Sequence, residues 1–259
     1  MRNFVISLKS AKKRREHIIS EFSKNCINFS FFDAQYPSAI LNEHINLLLP
    51  NLHKSNLTDT EKACFMSHYL LLSQLVKSDL DYMSIFEDDI LLGKNSFSYL
   101  KDSKWFEKLN LGEHIILKLE CFPRKISISK QRYKIENRMV FRLEEAYIGA
   151  AGYIISKSAA KKVITIINGL AVDELIPIDE ILFNKLINDN AFKIYQINPA
   201  LCIQERFLNP TNSNLTSDIE KERVLKDSPI NNLPSKTIIG RMKRELQRLL
   251  NRKQRIKFE

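Results

Sequence analysis

Glu87, Asp88 and Asp89 stand in a row directly after the apolar run from Tyr82 to Phe86. Three adjacent carboxylates repel one another, and an apolar neighbourhood adds a desolvation cost. Two arrangements offset this. The triplet is a solvated acidic turn, or it holds a hard divalent cation through oxygen ligands that a nucleotide diphosphate completes. Glu87 and Asp89, one residue apart, have the spacing of an Asp-x-Asp element. Other polar residues lie where they could join such a site. Ser7 closes the first apolar run, with Arg14 and Arg15 within helical reach of it. Each arginine either meets a phosphate or lines a solvated helix face. His68 falls one helical turn after Cys64, as a cleft residue or as a buried histidine with a backbone partner.

The elements that must position these residues are legible in the spacing. Asn3 to Leu8 reads as a strand, and Ser10 as the cap of a helix to about Asn25 with Ile18, Ile19 and Phe22 inward. Phe29 to Phe32 is a second strand closed by Asp33, so the chain opens β-α-β and predicts a parallel sheet in an α/β fold. Leu41, Ile45 and Leu48 permit a short helix before Pro50. Thr58 and Glu61 have capping-box spacing and start a helix on which Cys64, His68, Leu71, Leu72 and Leu75 recur at helical spacing. Tyr82 to Phe86 is the strand that delivers the carboxylates to its carboxyl end, where α/β proteins bind ligands. A helical stretch follows from Phe97 to Leu109, then strands at 114–119 and 139–143. A turn from Ala146 enters a strand to Ile155, Ser156 caps a helix to Ile167, Pro177 opens a helix to about Asn188, and a last strand spans 192–196.

These blocks, taken together, resemble glycosyltransferase family 25, and within it the lipooligosaccharide galactosyltransferases of Gram-negative bacteria. The resemblance is carried by Val5-Ile6-Ser7-Leu8 with Arg14-Arg15, by Phe31-Phe32-Asp33-Ala34, and by the stretch from Glu61 to His68. It continues through Phe86 to Gly93, Ala151 to Ser156, Pro177-Ile178-Asp179 and Asn198 to Glu205. It implies a GT-A type fold, a Rossmann-like nucleotide-sugar-binding mixed sheet flanked by helices. It also implies inverting transfer of a hexose, typically galactose from UDP-galactose and in some relatives glucose, onto a lipooligosaccharide or lipopolysaccharide acceptor sugar. On that resemblance Asp89 ligates Mn2+ or Mg2+, with Glu87 on the ribose or on the metal through water and Asp88 assisting. Asp179 becomes the candidate base for the acceptor hydroxyl, against the alternative of an acid favoured by its helix dipole, and Glu120 is the second candidate. Ser7, Arg14, Arg15, Glu61, Ser67, His68, Gly152 and Tyr153 are candidate donor contacts, Tyr153 by stacking. Glu61 also reads as a plain capping residue and Tyr153 as a plain core residue. Two departures stand out. Thr60 replaces the glycine many relatives carry before the matching glutamate, and the segment from Cys121 to Met139 aligns with nothing and falls to the acceptor side.

Composition sets the remaining bounds. The 259 residues, 44% hydrophobic and 27% charged, suit one substantial α/β domain. Residues 1–205 form the catalytic unit, 206–235 a polar irregular segment, and 236–259 a basic amphipathic C-terminal helix with the stripe Ile239, Met242, Leu246 and Leu249. The formal charge is +10, yet nine Lys and Arg against Glu245 and Glu259 give the tail +7 and leave +3 for residues 1–235. A basic tail without interleaved aromatics argues against nucleic acid and for an anionic membrane surface. Clustered carboxylates also serve metal-dependent phosphohydrolases, which would release free product without an acceptor. Cys26, Cys64, Cys121 and Cys202 lack metal-knuckle or redox spacing. The short first apolar run is too brief for a signal peptide, which places the chain in the cytoplasm, peripheral on the inner membrane face.

Overall fold

The structure is a computed structural model and describes residues 1–208 and 253–259. One mixed eight-stranded sheet organises the chain. The opening follows the predicted β-α-β path: β1 (Arg2–Ser7), α1 (Lys12–Lys24) and β2 (Ser30–Asp33), with β1 parallel to β2. Next come α2 (Ala39–Leu48), α3 (Asp59–Lys77) and β3 (Tyr82–Glu87), which lies parallel on the other side of β1. Then follow β4 (Ile90–Leu92), α4 (Ser96–Leu100), α5 (Lys104–Glu107), β5 (Ile115–Lys118), β6 (Lys125–Ile126), β7 (Ile128–Ile135) and β8 (Arg138–Leu143). The rest of the body is β9 (Gly152–Ser156), α6 (Lys157–Asn168), α7 (Ile178–Glu180, continued by further helical turns to Asn188), β10 (Lys193–Asn198) and β11 (Cys202–Gln204). The sheet order is β2-β1-β3-β9-β5-β10-β8-β7.

Strand alternation divides the core into two layers. Phe4 and Ile6 of β1, Ile116 of β5 and Tyr153 and Ile155 of β9 face the layer that contains α2, α3 and α6. Val5, Leu117 and Ile154 face the layer of α1, α4 and α5, with Phe22, Tyr99 and Phe106. Strands buried on both faces read as continuous apolar runs rather than alternating ones, which is why β1, β3 and β5 stood out in the sequence. The strand β9 is antiparallel to both neighbours, β3 and β5. Its apolar run carried no signal for that direction.

The caps that position the site follow the local chemistry. Thr58 Oγ1 accepts from Glu61 N at 3.1 Å and Glu61 Oε2 accepts from Thr58 N at 2.9 Å, completing the capping box of α3. Ser156 Oγ accepts from Ala159 N at 3.1 Å and starts α6. Three local expectations are corrected. Ala11, not Ser10, caps α1, and no side chain caps that end. Ile19 is 49% exposed, because Ile18 and Phe22, four residues apart, hold the inner face. The stretch 97–109 is two short helices, broken where Asp102 Oδ1 accepts from Lys104 N at 3.0 Å. The unaligned segment 121–139 contributes β6, β7 and the start of β8, so it builds the far edge of the sheet.

The amphipathic stripe Ile239-Met242-Leu246-Leu249 lies outside the described residues. The expected helix does not extend to the end of the chain. Gln254–Arg255 forms β12, antiparallel to β6, and Phe258 bridges to Ala200. Ile256 is 2% exposed, Asn198 Oδ1 accepts from Lys257 N at 2.8 Å, and Glu259 O accepts from Lys94 N at 2.6 Å. Here burial alternates from residue to residue, a strand period rather than a helical one. The last seven residues thus belong to the body of the protein. A chain ending at Arg252 should lose about 2–3 kcal/mol, from exposing Ile256 and its backbone partners. Its thermal midpoint should fall by roughly 5–10 °C, read by circular dichroism; an unchanged midpoint would show the strand to be dispensable.

Candidate active site

The carboxyl ends of β1, β3 and β11 converge on the acidic triplet, and each carboxylate has a different environment. Asp88 is tied down: Ser7 Oγ donates to its Oδ2 at 2.6 Å and Arg14 Nη1 pairs with its Oδ1. Asp89, only 5% exposed, accepts from Gln204 Nε2 at 3.2 and 3.3 Å and has Arg14 Nη2 at 3.8 Å. Its backbone carbonyl accepts from Glu205 N at 2.8 Å, which fixes the turn. The Glu87 carboxylate also receives Gln204 Nε2, at 3.3 Å, and faces His68 Nε2 at 4.0 Å. Burial and the neighbouring carboxylates Asp89, Glu120 and Asp179 push the Glu87 carboxyl well above its ordinary range. Burial, opposed by Arg14, raises Asp89 as well.

Two cavities open on either side of Glu87. One, of about 320 Å³, runs from the ends of β1 and β2, past Ser7, Arg14 and Tyr36, to Ser67, His68 and Asp89. The other, of about 270 Å³, lies between Glu61, Phe122, the loop from Ile148 to Ala151, and Asp179. Cys64, Glu87 and Gln204 line both. A site with two chambers and a carboxylate cluster at their junction suits a reaction between two bound molecules.

The comparisons with known proteins decide the family. The model described as "Glycosyltransferase family 25 (LPS biosynthesis protein)" matches residues 1–182. The chain belongs to glycosyltransferase family 25. Its relatives include the lipooligosaccharide biosynthesis protein lex-1 of Haemophilus influenzae, 35% identical over 97% of this chain and 92% of that protein. The lipooligosaccharide biosynthesis protein lic2B of the same species is 41% identical over 85% of this chain and 82% of its own. The lacto-N-neotetraose biosynthesis glycosyltransferase LgtE of Neisseria meningitidis is 39% identical over 86% and 82%.

In this family 25 chain the residues singled out in the sequence divide into groups. Ser7, Arg14, Ser67, His68, Glu87, Asp88 and Asp89 line the first cavity, and Glu61 and Asp179 the second. Ser67 is held in place, donating to Ala63 O and accepting from Gln35 N, both at 2.8 Å. Burial lowers His68 to about 4, so its ring is neutral at neutral pH, and its Nδ1 meets Tyr153 OH at 2.9 Å. Arg15 turns away to Asp33 and the carbonyls of Ser7 and Leu8, with its guanidinium over Phe31. It braces the strand end and lines neither cavity.

Gly152 and Tyr153 do not reach a sugar. A Cβ at Gly152 would sit 2.3 Å from Cys202 Sγ, so this glycine allows sheet packing. Tyr153 is fully buried between His68 and Phe183, leaving no face for stacking. Glu120 is also fully buried. Its Oε1 accepts from Lys118 Nζ at 2.8 Å and from Ala151 N at 2.9 Å, and it shapes the second cavity's loop from behind. The sequence reading missed Gln204, the shared partner of Glu87 and Asp89, and Arg206, which bonds Gln204 Oε1 at 3.3 Å. Gln204 stood in a resembling block, but no spacing linked it to residues more than a hundred positions away.

Lys118 and Glu120 form a fully buried ion pair inside an aromatic box, with Lys118 Nζ 4.1 Å from the Phe183 ring centre. Removing one partner strands the other charge. Lys118→Met should therefore cost about 3–5 kcal/mol. The double variant Lys118→Met with Glu120→Gln should recover most of that loss, as read from urea midpoints. Equal midpoints for the single and double variants would mean that the stranded carboxylate is not what costs the stability.

Proposed function

We propose that this chain is an inverting, metal-dependent hexosyltransferase on a GT-A type scaffold. In this reading it moves galactose from UDP-galactose onto a lipooligosaccharide acceptor sugar and forms a β linkage. The carrying observation is the pair of cavities that meet at Glu87: donor on the β1–β2 side, acceptor on the side of Asp179. The names of the relatives support the acceptor class.

Glu87 and Asp89 fit a hard divalent cation. They are neighbouring oxygen ligands at a cavity wall, and burial and adjacent carboxylates disfavour their bare charges. Mn2+ or Mg2+ bound there would offset charge developing on the departing diphosphate. Asp88, engaged by Ser7 and Arg14, serves to hold Arg14 beside Asp89 rather than to ligate. Arg14 and Arg206 place two cations around the same junction for phosphate oxygens. The base must reach the acceptor hydroxyl. Asp179 lines the acceptor cavity, whereas Glu120 is enclosed with Lys118, which favours Asp179.

Among the described residues no helix is long and apolar enough to cross a membrane. Of the +7 charge of residues 236–259, +2 lies in the packed last seven residues; the remaining +5 in residues 236–252 supports reversible attachment to anionic lipid, where a lipid-linked acceptor resides. The full chain should pellet with anionic vesicles at low salt and not with neutral ones. Pelleting with neither would remove the membrane role. The transfer reading itself is tested with a panel of nucleotide sugars and truncated lipooligosaccharide acceptors. UDP-galactose should be used best, with a β-anomeric product by NMR. Preference for UDP-glucose would change the donor, and an α product would overturn the inverting mechanism.

A further inference from the structure

Cys64, His68 and Glu87 offer one thiol, one imidazole and one carboxylate, whose ligand atoms lie within 4.8 Å of one another. Cys64 and His68 are four residues apart on α3, so both point from the same helix face. His68 is fully buried, and its Nε2 has no hydrogen-bond partner among the described residues. Such an orphaned ring nitrogen calls for an explanation. Its other nitrogen, Nδ1, meets Tyr153 OH at 2.9 Å. With the proton on Nδ1 and donated to the tyrosine oxygen, the Nε2 lone pair points toward Glu87. This is the outer-shell arrangement that orients histidine ligands in metal sites.

We propose that Cys64, His68 and Glu87 form a second metal site, one that takes a borderline-soft ion such as Zn2+ and through it inhibits the enzyme. The donor set decides the ion. Thiolate and imidazole favour Zn2+ over Mn2+, whereas Asp89 with Glu87 offers only oxygen. In a tetrahedral zinc site ligand atoms lie roughly 3.5 Å apart. The Glu87 Oε1 to His68 Nε2 distance is 4.0 Å and all three ligand atoms lie within 4.8 Å, so side-chain shifts of about 1 Å bring the set to zinc geometry. Three protein ligands leave the fourth position open to the cavity. Binding releases the Cys64 thiol proton to water. It also draws Glu87 from the junction of the two cavities, so Zn2+ blocks turnover from a site separate from Asp89. The metal-binding step stands independently of the proposed transfer reaction.

Co2+ titration of the full chain gives a readout that needs no sugar. A thiolate-to-cobalt charge-transfer band should grow to one equivalent, be displaced by Zn2+, persist in Cys26→Ser and vanish in Cys64→Ser. Tyr153→Phe preserves the side-chain volume and should weaken Zn2+ binding about 10–100-fold, as expected for loss of an outer-shell partner. Turnover at saturating Mn2+ should fall as Zn2+ is added, and Cys64→Ser should need at least about tenfold more Zn2+ for the same fractional loss, by the same scale. No band, a band that survives Cys64→Ser, or Zn2+ affinity unchanged in Tyr153→Phe would overturn the site. Loss of transfer with any sugar while the cobalt band remains would count against the proposed function and leave the metal site standing.

Discussion

Asp89→Asn should abolish most transfer while making the apo protein more stable. Asp89 is 5% exposed and shares Gln204 with Glu87. In the proposed reading an amide there removes a ligand charge, and losses of about 10²–10³-fold are typical when one preorganised electrostatic contact to a developing charge is lost. The stability effect follows from the direction of the shift. The folded carboxyl lies above its ordinary value, raised first by burial. Between the ordinary carboxylate pKa and the raised one, the folded state holds a proton that the unfolded state has released. Stability associated with this group therefore falls as pH rises through that window, and above the ordinary carboxylate pKa the group is a net cost to folding. Asp89→Asn removes the cost, so its apo thermal midpoint at pH 7 should exceed that of the parent. Added Mn2+ should raise the parent's midpoint and leave the variant's nearly unchanged. A variant that melts lower than the parent in chelator would contradict the electrostatic reading of this carboxylate.

Asp179→Asn should separate binding from chemistry. The residue lines the second cavity with Gly149 and Ala150 and contributes to the repulsion felt by Glu87. The amide keeps the shape and loses the ability to take a proton. Transfer should drop about 10²–10⁴-fold, with UDP binding by calorimetry unchanged. Glu120→Gln should behave differently, because Glu120 pairs with buried Lys118 and not with a cavity. Its loss should appear first as lowered stability. Unchanged transfer in Asp179→Asn would return the search for the base to the other acidic groups lining that cavity, Glu61 and Glu87.

Much of this arrangement is legible in the sequence, for reasons local to the chain. The Thr58–Glu61 box, the Ser156 cap and the apolar runs of β1 and β3 are short-range signals, and the structure reproduces them. The position of Glu87 at a strand end follows from the same run. Contacts that depend on tertiary neighbours were not readable. Tyr153 looks like a stacking residue until His68 and Phe183 are seen to enclose it. Gly152 looks like a ligand approach until Cys202 occupies the space above it. Arg14 and Arg15 are indistinguishable as neighbours in sequence, yet one faces Asp88 and the other Asp33, because adjacent helical residues point about 100° apart. Gln204 joins the site only through the pairing of β11 with β4, which sets Gln204 opposite Ile90. The tail's final residues carried a charge pattern that hid a two-residue burial alternation.

The most direct measurement of the central claim is release of UDP from UDP-galactose by the full chain with a truncated lipooligosaccharide acceptor, in Mn2+ and in chelator. Glu87 and Asp89 at the junction of the two cavities lead to acceptor-dependent turnover in Mn2+, its near-complete loss in chelator, and its return when Mn2+ is restored. Turnover that continues at full rate in chelator, or release that proceeds equally without acceptor, would contradict metal-dependent sugar transfer at this site.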